Sequence, residues 1–315
     1  MFKKFILENP ELVVKYKNTI YIYDVCQIRR DLQMLLRIFT AIGAAGAGLH
    51  TLIAGQGGGA LKVAGVLVLR FFEYFVGSQL AYVLLMLLST ELFIRLDKPQ
   101  ERPSKFWKWH MREVAKMICF YGRAEVIVTG REKLPKDTRY LMVSNHRSLF
   151  DPIVAEAAIS DEELVYVSKP GNYKIPVGGK VMHKCGCLSL DRENNREALK
   201  TIKQATEYIN KNYASVVIYP EGTRGREMQM RQFHAGSFKI AQRAGVPVVC
   251  ASLWNTEVVQ HNFPFKKTKV FIDIIDVIDA EYVKEHKTRD TAQLAQNIIQ
   301  EHLDAVAEEE SAAAR

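Results

Sequence analysis

A histidine followed five residues later by an aspartate, in Asn145-His146-Arg147-Ser148-Leu149-Phe150-Asp151, is the first place where this sequence offers chemistry. Imidazole is the natural general base near neutral pH. A carboxylate can accept its other ring N–H, fixing the tautomer and stabilising the imidazolium when it forms. On a straight helix the two side chains would splay apart. They meet only if the chain bends between them, as it does where a strand runs into a helix. Taken alone, a His near an Asp is more often a cap or a surface pair.

Two further stretches share that setting. Tyr219-Pro220-Glu221-Gly222-Thr223-Arg224 follows a β-branched run. Gly222 permits a tight turn, Arg224 and bare backbone N–H groups suit a phosphate, and Glu221 either holds the turn or orients a cation. Ser189-Leu190-Asp191-Arg192 supplies Arg192 as a second phosphate clamp, with Lys169 a weaker candidate after its own strand. The plain alternative is a charged surface loop for the first of these stretches and an ordinary surface arginine for the second.

The elements that must position these groups alternate. Strands are predicted at Glu125–Thr129, Tyr140–Ser144, Leu164–Ser168, Cys187–Leu190, Ser215–Tyr219, Val246–Leu253 and Lys269–Val277. Helices are predicted from Asp151, with Asp as cap and Pro152 in the first turn, and over Glu197–Asn212, Phe233–Arg243 and Thr291–Ala307. Such alternation implies an α/β fold, a largely parallel sheet flanked by helices. Residues 308–315 are expected to fray.

Ahead of this unit lie two uncharged apolar runs, Ile38–Leu61 and Tyr74–Thr90. Both sit near the lower limit for spanning a bilayer, and the first is diluted by glycine. They read as an N-terminal apolar helical membrane hairpin or as buried core helices. Arg29, Arg30 and Arg37 precede them, and Arg95, Lys98 and Arg102 follow, so both ends are expected on the cytoplasmic side. Lys105 to Arg112 interleaves cations with Phe106, Trp107 and Trp109, a mixture suited to the headgroup layer. The expected divisions are an N-terminal segment 1–32, a membrane-associated helical hairpin 33–96, an interfacial basic-aromatic helix 97–123 and an α/β domain 124–310.

A net charge of +8 suits anionic partners without choosing among them. The basic residues are scattered and no nucleic-acid recognition motif is visible, so nucleic acid is not expected as a partner. Five cysteines at irregular spacing give no disulfide framework. The N-terminus lacks the apolar stretch and small-residue site of a cleaved signal. His183, Cys185 and Cys187 lack a fourth ligand and the usual Cys-x-x-Cys spacing, so they read as thiols rather than a metal site. Gly55 to Ala60 formally fits a dinucleotide fingerprint but follows a membrane-like run, and reads as a flexible turn.

Taken in order, N-H-R-S-L-F-D, L-S-L-D-R, Y-P-E-G-T-R and G-V-P-V-V resemble the four motifs of the 1-acylglycerol-3-phosphate acyltransferase family. The resemblance covers roughly Ala124 to Leu253, and its first and third motifs are the specific ones. It implies an α/β acyltransferase domain at a membrane surface, with His146 as general base and Asp151 its partner. It implies that Arg192, Glu221, Gly222, Thr223 and Arg224 shape the site for the acceptor's glycerol phosphate, and that Pro247 lies near the acyl donor. Ser189, Cys250 and Gly225 depart from the family's usual residues without removing a charged group.

The implied reaction moves a fatty acyl group from acyl-CoA or acyl carrier protein to a lysophospholipid hydroxyl, with no other cofactor and no metal. Lysophosphatidic acid is the expected acceptor; glycerol-3-phosphate or another lysophospholipid stays open. Direct attack is expected, since no G-x-S-x-G elbow is present. Backbone N–H groups near Asp151 are expected to receive the oxyanion. A basic membrane-surface protein that only binds lipid is the non-enzymatic alternative, and it leaves the ordered His146, Asp151 and Glu221 unexplained.

Overall fold

The computed structural model describes residues 13–16, 19–22, 34–55, 59–98, 100–159, 161–225 and 229–313. Most of the N-terminal segment, with Cys26, Arg29 and Arg30, lies outside the described residues, as does 56–58 of the glycine-rich turn. A short antiparallel pair, β1 (Val13–Tyr16) and β2 (Thr19–Ile22), comes first. Helices α1 (Met34–Ile53) and α2 (Ala60–Phe93) follow, then α3 (Lys105–Tyr121).

The α/β unit contains β3 (Ala124–Thr129), β4 (Leu141–Ser144), α4 (Asp151–Ala158), β5 (Leu164–Ser168), α5 (Gly178–Lys184), β6 (Leu188–Ser189) and α6 (Asn195–Asn210). It continues through β7 (Ser215–Ile218), α7 (Lys239–Ala244), β8 (Val248–Trp254), α8 (Thr256–Asn262), β9 (Thr268–Ile278), α9 (Ala280–Glu285) and α10 (Thr288–Ala313).

Strands β3 to β9 form one sheet in the order β3-β9-β8-β4-β7-β5-β6. Every pairing is parallel except β8 with β9, so the sheet is mixed and largely parallel. Parallel strands must be covered on both faces, which explains their unbroken apolar runs. Side chains alternate between faces accordingly. Leu141, Val143, Val216 and Ile218 pack with residues of α6, α7 and α10. Met142, Val217 and Val249 pack on the other face with residues of α3, α4 and α8. Central strand β4 places its carboxyl end, and hence His146, beside the end of β7.

Some boundaries differ from expectation. The predicted helix Phe233–Arg243 is a 3-10 turn over Ala235–Phe238 that runs into α7. The closing helix does not end at Ala307; α10 runs on to Ala313. Asp151 is not the cap of α4: Phe150 holds that position and Asp151 is the first helical residue. The reason lies in the Asp151 carboxylate, which bonds backward into the preceding turn.

The apolar hairpin is also re-divided. Helix α1 stops at Ile53, before the glycines, and α2 continues through Lys62, Arg70 and Glu73, where the last two form an ion pair one turn apart. Gly43 lets α1 approach Phe71 and Phe75, and the Phe39 and Tyr82 rings meet edge-on at 5.6 Å. The outward faces stay bare: Leu84, Leu88, Leu92 and Phe93 are all more than half exposed. Both helices are long and apolar enough to cross a membrane, with mean hydropathies of 1.4 and 1.6. At about 1.5 Å per residue, the 34 residues of α2 reach about 51 Å, beyond a hydrocarbon core of about 30 Å.

Helix α3 does not present its cations as a basic stripe. Lys108 is 1% exposed and donates to Glu156 at 2.7 Å and to the Leu164 carbonyl at 2.6 Å. Arg112 reaches the same carboxylate at 3.3 Å, and Lys116 pairs with Glu113. The periodicity of α3 turns Lys108 and Arg112 toward α4, where buried Glu156 requires a partner. Lys105 and Phe106 stay on the exposed side.

Candidate active site

The chain leaves β4 through Asn145, whose side chain copies a strand's pairing. Its Nδ2 donates to the Leu253 carbonyl and its Oδ1 accepts from Leu253 N, each at 2.8 Å. The bend that follows brings the dyad together. His146 Nδ1 and Asp151 Oδ2 are 2.6 Å apart. The same oxygen accepts from the N–H of Arg147 at 2.7 Å and of Ser148 at 3.0 Å. An ionised carboxylate only accepts, so Nδ1 carries the proton and Nε2 keeps its lone pair. Asp151 is fully buried, whereas the His146 side chain is 20% exposed. The base is therefore anchored from below and open above.

These bonds change one expectation. The N–H groups of Arg147 and Ser148 point at Asp151, so they are not available to an oxyanion.

Beside this loop runs the turn after β7. Glu221 is buried, and both its oxygens hold backbone: Oε1 accepts from His146 N at 2.8 Å and Oε2 from Arg231 N at 3.0 Å. Gly225 N returns a bond to the His146 carbonyl at 2.8 Å. Of the two roles open to Glu221, the geometry gives it the holding of the turn. Burial raises its pKa, an effect that the N–H groups of Arg231 and His146 oppose.

Gly222 has two reasons to be glycine. Its φ is +75°, a conformation that L side chains disfavour, and a Cβ there would stand 1.3 Å from Arg192 Nη1. Arg192 thus lies across the turn, its Nη2 at 3.5 Å from the Tyr219 carbonyl. It arrives from the loop after edge strand β6, two strands beyond β7. Thr223 is half-buried and Arg224 exposed in the same turn. Lys169 is exposed at the end of β5; no hydrogen bond or ion pair among the described residues joins it to His146, Glu221 or Arg192.

The structure adds residues that sequence reasoning passed over. The Tyr219 ring stacks on His146 with centroids 4.4 Å apart. Its hydroxyl is buried, and burial followed by the Asp151 charge raises its pKa well above the usual range. The aromatic residue just before Pro-Glu-Gly was the available signal. Arg147 forms an ion pair with Glu257 of α8. His234, whose N–H donates to the Pro220 carbonyl at 3.0 Å, has its pKa lowered by burial and then by the Arg192 charge. His183 bonds the Lys98 carbonyl at 2.9 Å, while Cys185 and Cys187 are buried, the latter's pKa pushed up to about 11 by burial.

A histidine backed by a buried carboxylate thus stands at the carboxyl edge of a covered α/β sheet, beside an arginine-bearing turn. Residues 125–254 match the model of the family described as Acyltransferase. The chloroplastic 1-acyl-sn-glycerol-3-phosphate acyltransferase of Arabidopsis thaliana is 30% identical over 59% of this chain and 51% of its own length. The 1-acyl-sn-glycerol-3-phosphate acyltransferase of Haemophilus influenzae is 29% identical over 56% of this chain and 75% of its own. The chain spans about half the length of the chloroplastic relatives that it matches. In fold it resembles the crystal structure of the 1-acyl-sn-glycerophosphate acyltransferase PlsC from Thermotoga maritima. The TM-score is 0.54 at 23% identity, covering 76% of this chain and 95% of that one.

Proposed function

We propose that this protein transfers a fatty acyl group from a thioester donor, acyl-CoA or acyl carrier protein, to the sn-2 hydroxyl of lysophosphatidic acid, giving phosphatidic acid. The observation that carries the proposal is the 2.6 Å contact between His146 Nδ1 and buried Asp151, which leaves Nε2 for the substrate.

In this reading Nε2 takes the hydroxyl proton as the oxygen attacks the thioester carbon. The tetrahedral intermediate collapses, the C–S bond breaks, and the imidazolium returns its proton to the departing sulfur. Asp151 holds the ring and stabilises its charged form. Arg192, which lies against Gly222, and Arg224, two residues on in the same turn, receive the acceptor phosphate, and Lys169 is left a distant role in drawing it in. Glu221 acts by fixing the turn against the His146 loop. The apolar hairpin holds the domain at a membrane surface, on the cytoplasmic side by the distribution of flanking cations. Names of relatives support the acceptor; the chain's own basic turn fits its charge.

The test is acyl transfer by detergent-purified protein, offered a panel of lysolipids and sn-glycerol 3-phosphate with each donor, followed by product identification. Phosphatidic acid is the expected product, and folded His146→Ala should lose about 10²–10⁴-fold in turnover. Near-normal turnover by that variant removes His146 as the base. Preference for glycerol 3-phosphate or a zwitterionic lysolipid overturns the acceptor.

A further inference from the structure

The sheet has a second edge. Arg139, Glu163, Asn212 and Tyr213 come just before β4, β5 and β7, whereas the His146 loop and the Glu221 turn follow β4 and β7. Because these three strands are parallel, the two groups lie at opposite edges. At the amino edge is a cavity of about 820 Å³ whose walls include Arg102, Lys105, Trp107, Arg139, Lys184 and Tyr213.

Its charge is not neutralised. The other two charged residues of the lining have partners elsewhere: Lys108 pairs with Glu156, and Glu163 with Arg112. Arg102, Lys105, Arg139 and Lys184 carry no ion pair among the described residues. Arg139 is nonetheless held in place by Asn212, to which its Nε donates at 2.7 Å. The wall is braced too. Gln100 accepts from Gln204 and from Tyr208 through its carbonyl, and Ser104 N donates to the Lys184 carbonyl at 2.9 Å. The first turn of α3, with no acidic residue, opens onto the same space and adds its dipole. Four unpaired cations, a helix start and two aromatic rings around one braced cavity describe a receptor for a phosphate ester.

The source follows from position. Gln100, at the cavity wall, is seven residues past Phe93, the end of α2, so it lies within about 25 Å of that end even on an extended chain. A hairpin seated in a bilayer would hold this cavity within reach of the headgroups.

We propose that this amino-edge cavity binds the phosphate of an anionic membrane phospholipid, at a site separate from the His146 centre. Such a site would couple the enzyme's seating to the membrane's anionic content, which a phosphatidic acid product would raise.

The test uses the full chain in zwitterionic nanodiscs doped with increasing phosphatidic acid, read by tryptophan fluorescence. Soluble sn-glycerol 3-phosphate and coenzyme A are separate arms. Wild-type protein should respond to the anionic lipid, and Trp107→Phe should lose most of the change. Arg102→Gln with Lys105→Gln should raise the half-saturating lipid fraction on the order of tenfold. Both exchanges lie on exposed positions outside the His146 site, and circular dichroism checks the fold. Equal responses from wild type and the double variant would overturn the proposal. Saturation by coenzyme A or glycerol phosphate, with no response to lipid, would reassign the cavity to a soluble phosphate ester and overturn the lipid source.

Discussion

The imidazole of His146 lies on the phenol ring of Tyr219, with centroids 4.4 Å apart and planes inclined by 18°. The ring thus has a floor as well as a tether: Asp151 fixes its azimuth and Tyr219 its tilt. Aromatic contacts of this kind contribute about 0.5–1.5 kcal/mol beyond burial. Tyr219→Phe keeps the floor and removes a buried hydroxyl with no partner among the described residues, so it should leave kcat and Tm essentially unchanged. Tyr219→Ala should lower kcat by roughly threefold to tenfold. Steady-state kinetics on both variants check this.

Asp151 serves three donors with one oxygen. Asp151→Asn offers an amide that can present its N–H₂ to Nδ1 and favour the wrong tautomer. Turnover should fall by about 10²–10⁴-fold. An N–H₂ in that place also deprives the Arg147 and Ser148 N–H groups of their shared acceptor, so turnover is compared on protein whose fold is checked by circular dichroism. A variant within twofold of wild type would contradict the tautomer role.

Gly222 and Arg192 should behave as one unit. Gly222→Ala places a methyl where the guanidinium lies, at a φ of +75°. The backbone strain costs about 1–2 kcal/mol. Displacement of Arg192 should raise the acceptor KM. Arg192→Ala should raise it alone, and adding it to Gly222→Ala should do little more. A double-mutant cycle with additive effects on KM would separate the two residues.

Lys108 sits in the interior because Glu156 does. With side chains 2% and 4% exposed, the pair is intolerant of losing one member. Lys108→Met should cost about 3–5 kcal/mol, a cost lessened by Arg112, which already shares the carboxylate. Lys108→Met with Glu156→Gln should recover most of it. Denaturation midpoints of the single and double variants decide.

Asp273 supplies a pH signature outside the His146–Asp151 pair. Burial raises its pKa, but the hydrogen bond and charge of His302, then Thr129 and Trp254, outweigh burial and hold the pKa below the ordinary value. A carboxyl depressed in the folded state gives stability that is present above the unfolded pKa and lost as pH falls through the folded one. The stability gap between wild type and Asp273→Asn should therefore be full near neutrality and close below about pH 4. A gap independent of pH would show that the carboxylate's charge contributes nothing.

The parts of this architecture written locally were readable from sequence. Apolar runs of four to nine residues marked the strands, and the spacing of His146 to Asp151 demanded the corner that is found. What required three dimensions was the choice of partner. Nothing in the order of residues shows that Glu221 would spend both oxygens on the N–H groups of His146 and Arg231, because any residue type can supply an N–H. The cations of α3 looked like a surface feature because charge is usually solvated. Only the packing of α4 against α3 reveals that Glu156 draws Lys108 inward. Asp151 looked like a helix cap since it precedes proline, yet the turn behind it offered closer donors.

Asn145 carries a consequence for how this centre moves. By trading two bonds with Leu253, its side chain splices the start of the loop to β8 at the point where β4 ends. His146 therefore shares the stiffness of the seven-stranded platform instead of the freedom of a surface segment. In the proposed reaction the imidazole is thereby struck against a fixed anvil, while Arg192 and Arg224 extend from connecting loops rather than from strands.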